Sequence, residues 1–279
     1  MYTIVEKTDL NPTVVKMVIN APAVAQKAQP GQFAILRVDS NGERLPLTIA
    51  DYDREAGTVT IIFQVVGAET TLLSRKEAGE SVQDFAGPLG VASHTDGLKK
   101  VVVVGGGVGC AIAYPVAKKL REQGSIVHSI IGFRNKSLVI LEEEFAAVSD
   151  ELRLVSDDGS AGTKGLVTDA LEELVQAGNA YDEVIAIGPV VMMKFVSKLT
   201  EKYGIKTTVS MNPIMVDGTG MCGGCRLLVG GDVKFACVDG PDFDGHQVDF
   251  DRLMQRNTMY RDFEQAHLCR LTGEVHHHA

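Results

Sequence analysis

No stretch of this chain approaches the ~20 consecutive apolar residues that a membrane-crossing helix needs, and no secretory signal opens it. The expected location is therefore the cytoplasm, with no membrane partner. Positive charge is also scarce: 27 Lys and Arg stand against 36 Asp and Glu, a formal net charge of −9. Phosphate backbones are held by clustered basic side chains, so nucleic acid is excluded as the natural partner. Only five cysteines occur in 279 residues, three of them clustered, which is not the framework of a secreted disulfide protein. No internal repeat or low-complexity linker is evident. What remains, 45% apolar and 23% charged, is ordinary for a soluble chain with room for two cored domains and a small appendage. The run His276-His277-His278 reads as a clipped or altered purification tag and is assigned no role.

The chemistry-bearing residues crowd toward the C-terminus. Asp217-Gly-Thr-Gly-Met-Cys222-Gly-Gly-Cys225 is followed, after eleven intervening residues, by Cys237. This is the plant-type two-iron ferredoxin spacing, C-x4-C-x2-C…C, with aspartate in the first ligand position. Thiolates suit iron because they are soft anionic donors, and the interleaved glycines let the backbone wrap closely and aim amides at sulfur. The pattern points to a [2Fe-2S] centre held by Asp217, Cys222, Cys225 and Cys237. Two other readings of the same residues stay open. Asp217-Gly218 is also an ordinary turn pair, and Cys222, Cys225 and Cys237 with His246 would make a closed zinc site.

Upstream, residues 1–97 read as a strand-rich unit. Val14–Ile19, Phe33–Val38 and Val59–Val66 are β-branched or aromatic runs between turn dipeptides, which suggests a small β-barrel or sandwich. Gly87-Pro88-Leu89-Gly90 closes it. From 98 to 210 strands alternate with helices. Strands are expected at Val101–Val104, Ile126–Ile131, Leu152–Val155 and Glu183–Ile187. Helices are expected from the glycine loop to near Gly124, then over Leu138–Val148, Thr168–Ala177 and Val190–Tyr203. That rhythm is a doubly wound parallel sheet, an α/β nucleotide domain. Residues 211–279 hold the cysteine segment and a helical tail around Phe250–Gln265.

Gly105-Gly-Gly107-Val108-Gly109 follows a buried strand and precedes a helix, so its amides suit a pyrophosphate. It departs from G-x-G-x-x-G, because Cys110 takes the final glycine position and reads as a small packed residue. Gly132-Phe133-Arg134 stands where an acidic ribose anchor is usual. Gly188-Pro189 ends a strand on the ligand-binding side of the sheet, with Met192-Met193 just beyond. Asp157-Asp158-Gly159-Ser160 ends another, either binding ribose hydroxyls or capping its own turn. In the barrel, Arg44-Leu-Pro46-Leu47-Thr48 offers a guanidinium and a hydroxyl on a Pro-fixed backbone, suited to a cofactor phosphate and a flavin edge. Val66-Gly67-Ala-Glu-Thr70-Thr71 adds amides and hydroxyls after a strand. Each loop also reads alone as a simple turn, and the two methionines as core filling.

Taken together, a barrel with R-x-P-L-T and G-x-x-T-x-x-L ahead of a GGGVG sheet with a GP turn resembles the ferredoxin-NADP reductase superfamily. The cluster segment narrows the resemblance to electron-transfer subunits like those of dihydroorotate dehydrogenase. It is similar too to the small subunits of sulfide dehydrogenase and of electron-bifurcating, NADH-dependent reduced ferredoxin:NADP oxidoreductase. Asp217 in place of a cysteine, and the tail Asp249–Tyr260, favour the last two. The resemblance implies FAD contacts at Arg44, Pro46, Leu47, Thr48, Val66, Gly67, Thr70 and Thr71. It also implies a nicotinamide nucleotide, NAD(H) or NADP(H), facing Gly107, Val108, Arg134, Gly188 and Pro189. Pro46 stands where R-x-Y-S would place tyrosine, and the hydroxyl comes one residue later than the pattern. The implied activity is an oxidoreductase subunit that moves electrons between NAD(P)H, FAD and a [2Fe-2S] cluster. Its expected partner is a larger flavin and iron–sulfur subunit in a heterodimer, with ferredoxin reached through that partner. No catalytic side chain is expected, because the cofactors carry the chemistry. The non-enzyme alternative is a zinc-stabilised nucleotide-binding protein.

Overall fold

The computed structural model describes residues 1–273, so the terminal His276–His278 run lies outside the described residues. The first half contains β1 (Tyr2–Asn11), β2 (Val14–Asn20), β3 (Phe33–Arg37), β4 (Leu45–Asp53), β5 (Thr58–Gln64), β6 (Ser81–Val82) and β7 (Asp84–Leu89). Two short helices, α1 (Pro22–Ala25) and α2 (Ala68–Ser74), lie between them. Alternation decides which face is buried: Val59, Ile61 and Phe63 of β5 face inward with Met17 and Ile19 of β2. The strands form one antiparallel sheet in the order β6-β1-β2-β5-β4-β3-β7. Its two edge strands are joined by the single residue Gln83, so the sheet must curl until its edges are neighbours. The result is a nearly closed barrel, which protects otherwise unpaired edges. Ile4, Leu36, Ile49, Leu73 and Phe85 fill it, each buried side chain contributing about 1.5–3 kcal/mol.

The second half runs β8 (Lys100–Gly106), α3 (Cys110–Glu122), β9 (Ile126–Phe133), α4 (Glu142–Val148), β10 (Glu151–Ser156) and β11 (Thr163–Lys164). It continues with α5 (Val167–Gln176), β12 (Glu183–Ile187), α6 (Val190–Tyr203) and β13 (Thr207–Ser210). Val101–Val104 are all fully buried, as a central parallel strand covered on both faces requires. The sheet order is β11-β10-β9-β8-β12-β13, so the winding direction reverses between β8 and β12. Beyond it come a hairpin of β14 (Arg226–Val229) and β15 (Asp232–Phe235), then β16 (Asp242–Asp244), α7 (Phe250–Arg256) and α8 (Arg261–Thr272). β16 adds to the sheet as an antiparallel edge beside β13. Val14, Ala50 and Ile62 from the outside of the barrel share a core with Ala113, Val116 and Ala117 of α3. Lys118 of the same helix bonds Asp51 of β4 at 3.1 Å.

Two helices differ from expectation. The one expected over Leu138–Val148 starts only at Glu142, because Leu141 takes a left-handed φ of 57°. Lys136–Leu138 forms instead a 3-10 turn, capped by Asn135 accepting from the Ser137 amide at 3.0 Å. The tail expected over Phe250–Gln265 is broken between Arg256 and Arg261 into α7 and α8. Among the described residues no helix is long and apolar enough to cross a membrane.

Candidate cofactor sites

The reversal of winding opens a crevice at the carboxyl ends of β8 and β12, the place where such sheets take ligands. Gly107–Gly109 forms one 3-10 turn between β8 and α3. A Cβ on Gly109 would lie 2.5 Å from the Ile187 carbonyl oxygen and 2.6 Å from the Gly188 Cα, so the two strand ends approach too closely for any side chain. The structure brings Gly107, Val108, Arg134, Asp157, Gly188 and Pro189 together around one cavity of about 1010 Å³. That volume sits at the upper end for ligand pockets and suits a dinucleotide better than a small metabolite.

Sequence reasoning missed part of this wall. The barrel contributes Asn11, Thr13 and Gln64, the N-cap and first turn of α5 contribute Leu166 and Asp169, and α6 contributes Phe195, which is 53% exposed. No local motif marks these residues, since only the topology assembles them. The methionine pair divides: Met193 is core filling, whereas Met192 lines the cavity. The Asp157–Asp158 pair divides as well. Asp158 caps its own turn, accepting from the Ser160 amide at 2.8 Å and hydroxyl at 2.7 Å, and these bonds hold its carboxyl below the usual range. Asp157 is the one that lines the cavity. Cys110 is fully buried, and burial pushes its thiol far up, which makes it an inert packed residue.

On the barrel, Arg44–Thr48 opens β4 and Val66–Thr71 follows β5. These strands pair antiparallel, Ile49 opposite Ile61, so both runs leave the same end of the barrel. Arg44 and Pro46 are exposed there, and Val66 is 69% exposed. A solvent-exposed guanidinium beside exposed apolar groups fits a flavin dinucleotide, whose phosphates favour bidentate Arg and whose ring is apolar. The hydroxyls have a prior task. Thr70 Oγ1 accepts from the Val66 and Gly67 amides at 3.0 and 2.9 Å and donates to the Gly67 carbonyl at 3.0 Å. Thr71 Oγ1 donates to the same carbonyl at 2.8 Å, so both threonines shape the loop. The two regions adjoin through Gln64, which ends β5 and lines the nucleotide cavity.

In the cysteine segment the β14–β15 hairpin pairs Arg226 with Phe235, which sets Cys225 and Cys237 at its two ends. Their sulfurs lie 3.3 Å apart, both residues are buried, and the Cys237 amide points at the Cys225 sulfur at 3.5 Å. The Gly224 amide similarly faces the exposed Cys222 sulfur at 3.4 Å. Burial, reinforced by Cys225, pushes the Cys237 thiol up to about 11. A thiol so placed becomes a thiolate only against a cation, and amides aimed at sulfur suit an iron–sulfur cluster. Among the described residues no three His, Cys, Asp or Glu side chains stand together at metal-holding spacing, so Cys222 and Asp217 lie apart from the central pair. Asp217 accepts through Oδ2 from the Thr219 hydroxyl, from the Thr219 amide at 3.1 Å and from the Met221 amide at 3.4 Å. The Thr219 hydroxyl is the main cause that holds its carboxyl below the usual range. The zinc site that would recruit His246 is corrected: Nε2 of that ring bonds Thr200 Oγ1 at 3.0 Å and Nδ1 faces Asp244 at 3.9 Å, on the side of α6.

Barrel, switch-point crevice and cysteine hairpin together define an oxidoreductase subunit of ferredoxin-reductase architecture with an iron–sulfur segment. The iron–sulfur cluster binding domain of dihydroorotate dehydrogenase B matches residues 212–249. A dihydroorotate dehydrogenase B (NAD(+)) electron transfer subunit homolog from Thermotoga maritima is 46% identical, covering 94% of this chain and 92% of that protein. An electron transfer subunit from a Geobacillus species is 33% identical, over 88% of this chain and 96% of its own length. The solved structure of an NADH-dependent reduced ferredoxin-NADP oxidoreductase superposes with a TM-score of 0.92 at 43% identity, covering 97% of both chains. The chain belongs to the family of dihydroorotate dehydrogenase B electron transfer subunits and their homologues.

Proposed function

We infer that the chain is the NAD(P)H-linked electron-transfer subunit of an iron–sulfur flavoprotein oxidoreductase of the electron-bifurcating, NADH-dependent ferredoxin:NADP type. One observation carries the reading: the three candidate sites touch. The nucleotide cavity is walled by Gln64 of the barrel and by Asn212 at the head of the cysteine segment, and Asp217 of that segment returns to Arg44 of the barrel. The chain divides accordingly into a barrel for FAD (1–97), an α/β part for the nucleotide (98–210) and a cluster segment with its tail (211–279).

Nicotinamide carries hydride, flavin exchanges hydride for single electrons, and a [2Fe-2S] cluster carries single electrons. The chain's own part is to hold and shield. Arg44 meets the FAD phosphates, while Pro46, Leu47, Thr48, Val66, Gly67, Thr70 and Thr71 shape and line the flavin's seat. Gly107 and Val108 admit the nucleotide backbone, Gly188 and Pro189 bound its nicotinamide end, and Arg134 and Asp157 meet its ribose side. Asp217, Cys222, Cys225 and Cys237 hold the cluster. A carrier of single electrons needs a receiver, so a larger partner subunit completes the enzyme in the cytoplasm, and ferredoxin exchanges electrons with that partner.

The test is an anaerobic NADH titration of the purified chain. Flavin bleaching at stoichiometric NADH, with a reduced-cluster electron paramagnetic resonance signal, is the expected outcome. A colourless protein holding one zinc would overturn it. The domain match over 212–249 favours a second reading, in which the partner oxidises dihydroorotate. The purified complex would then reduce NAD with dihydroorotate as donor and show no ferredoxin-linked activity.

A further inference from the structure

The ion pair between Arg44 and Asp217 joins two sites that the sequence keeps 173 residues apart, with Arg44 Nη1 3.5 Å from Asp217 Oδ1. Local contacts occupy only the other oxygen of Asp217, which accepts from Thr219 and Met221. A second contact seats the same turn on the barrel. Gly218 has a φ of +81°, and a Cβ there would lie 2.9 Å from Ile35 Cγ1 and 3.0 Å from Leu89 Cδ1, in β3 and β7. Cys225 and Cys237, by contrast, are set by the β14–β15 hairpin. The carboxylate and the two buried thiols of the cluster site are therefore fixed by different parts of the molecule.

We propose that Arg44 is a positioning residue for Asp217, so that the guanidinium that meets the FAD phosphate also anchors one carboxylate oxygen of the aspartate and thereby sets the orientation from which it reaches the cluster. The proposal rests on the reading of Asp217 as an iron ligand. Guanidinium presents five N–H donors in a fixed fork, so one edge can hold a carboxylate while others remain for phosphate. The pair is open to solvent, with side-chain exposures of 52% and 21%. An ion pair this exposed adds little to stability, so what it supplies is orientation. Ligating carboxylates are characteristically held by an outer partner, and cluster potential follows net charge and nearby hydrogen bonds. Removing the positive charge disfavours the more negative, reduced cluster, so the potential falls.

The experiment compares the full-length parent with Arg44→Gln, Arg44→Lys and Asp217→Ala, each measured flavin-replete and flavin-stripped. Readouts are the reduced-cluster paramagnetic resonance spectrum, the cluster midpoint potential, and iron release to a chelator. In Arg44→Gln the g-values should change, the potential should fall, and release should quicken roughly tenfold, with or without flavin. The stripped comparison separates this effect from simple loss of flavin. Arg44→Lys keeps the charge but loses the fork, and carries the same test through iron release if the glutamine variant misfolds. Spectra, potential and release that match the parent in the Arg44 variants, while Asp217→Ala alters them, overturn the proposal. If Asp217→Ala also matches the parent, the ligand reading itself has failed and the proposal falls with it.

Discussion

The sulfurs of Cys225 and Cys237 face each other at 3.3 Å across the open end of the β14–β15 hairpin, inside a buried environment. Two sulfurs this close can be joined with little movement once no cation separates them, and because burial raises the Cys237 thiol to about 11 the reaction should quicken as pH rises. Treating cluster-free protein with diamide should therefore join them, lowering the thiol titre in denaturant from the five of the sequence by two. Cys225→Ser should abolish that loss and also prevent cluster reconstitution. A titre that stays at five after diamide would show that the pair does not share one site.

The turn at Gly107 offers a clean probe of the nucleotide crevice. Its φ is +55°, and a Cβ built there meets nothing within 4 Å, so Gly107→Ala would place a methyl in the cavity without a clash. The left-handed backbone costs about 1–2 kcal/mol, which a folded domain tolerates. The Michaelis constant for NAD(P)H should rise several-fold while the flavin absorbance spectrum stays that of the parent. Steady-state kinetics unchanged in a folded variant would move the nucleotide elsewhere.

Asp242 of β16 gives a pH-dependent prediction. Its carboxyl is buried and accepts from Ser93 Oγ at 2.5 Å; burial raises its pKa above the ordinary 3.8, and the Ser93 and Ser210 hydroxyls only partly offset this. Above pH 3.8 the folded chain therefore holds more proton at this site than the unfolded chain. Stability from this group is full in acid and declines as pH rises through the folded pKa. Asp242→Asn keeps an acceptor for Ser93 and removes that decline. Its melting temperature, relative to the parent, should be higher at pH 8 than near the ordinary carboxyl value of 3.8. An equal difference at both values would mean that Asp242 does not titrate as described.

The elements most legible in the sequence are those whose burial is continuous or strictly periodic. Val101–Val104 reads as a buried strand because all four side chains are apolar, and α5 falls within a residue of expectation because Val167, Ala170, Leu171 and Leu174 recur at helical spacing. β1 was hidden by its exposed Glu6, Thr8 and Asp9, and β16 by its brevity and its two aspartates. Its place at the sheet edge comes from pairing with β13, a long-range contact that no local propensity encodes. The same division holds at the sites. Gly107, Gly188 and the cysteine spacing were legible because backbone approach and metal chemistry constrain residue type. Leu166, Phe195 and the contact of Arg44 with Asp217 were not, since each depends on how distant segments meet.

The ligand set is decided by Asp217 against Cys269. Cys269 lies in α8, which packs near α2 of the barrel, and the tail also reaches the barrel through His267, 3.3 Å from Glu43. Asp217 sits five residues before Cys222 in a turn that holds its carboxylate ionised, chiefly through the Thr219 hydroxyl. A carboxyl depressed in this way remains a competent iron ligand through neutral pH, and protons displace iron from it only in acid. Cluster absorbance in the parent should thus be flat through neutrality and fall as pH drops. Asp217→Cys, with a softer donor, should retain a [2Fe-2S] centre with an altered paramagnetic resonance signal. Asp217→Ala should lose cluster stability at every pH. Cys269→Ala should change neither spectrum nor retention. The opposite pattern, with Cys269→Ala destroying the cluster and Asp217→Ala leaving its spectrum untouched, would reduce Asp217 to a turn residue and make the tail thiol the fourth ligand.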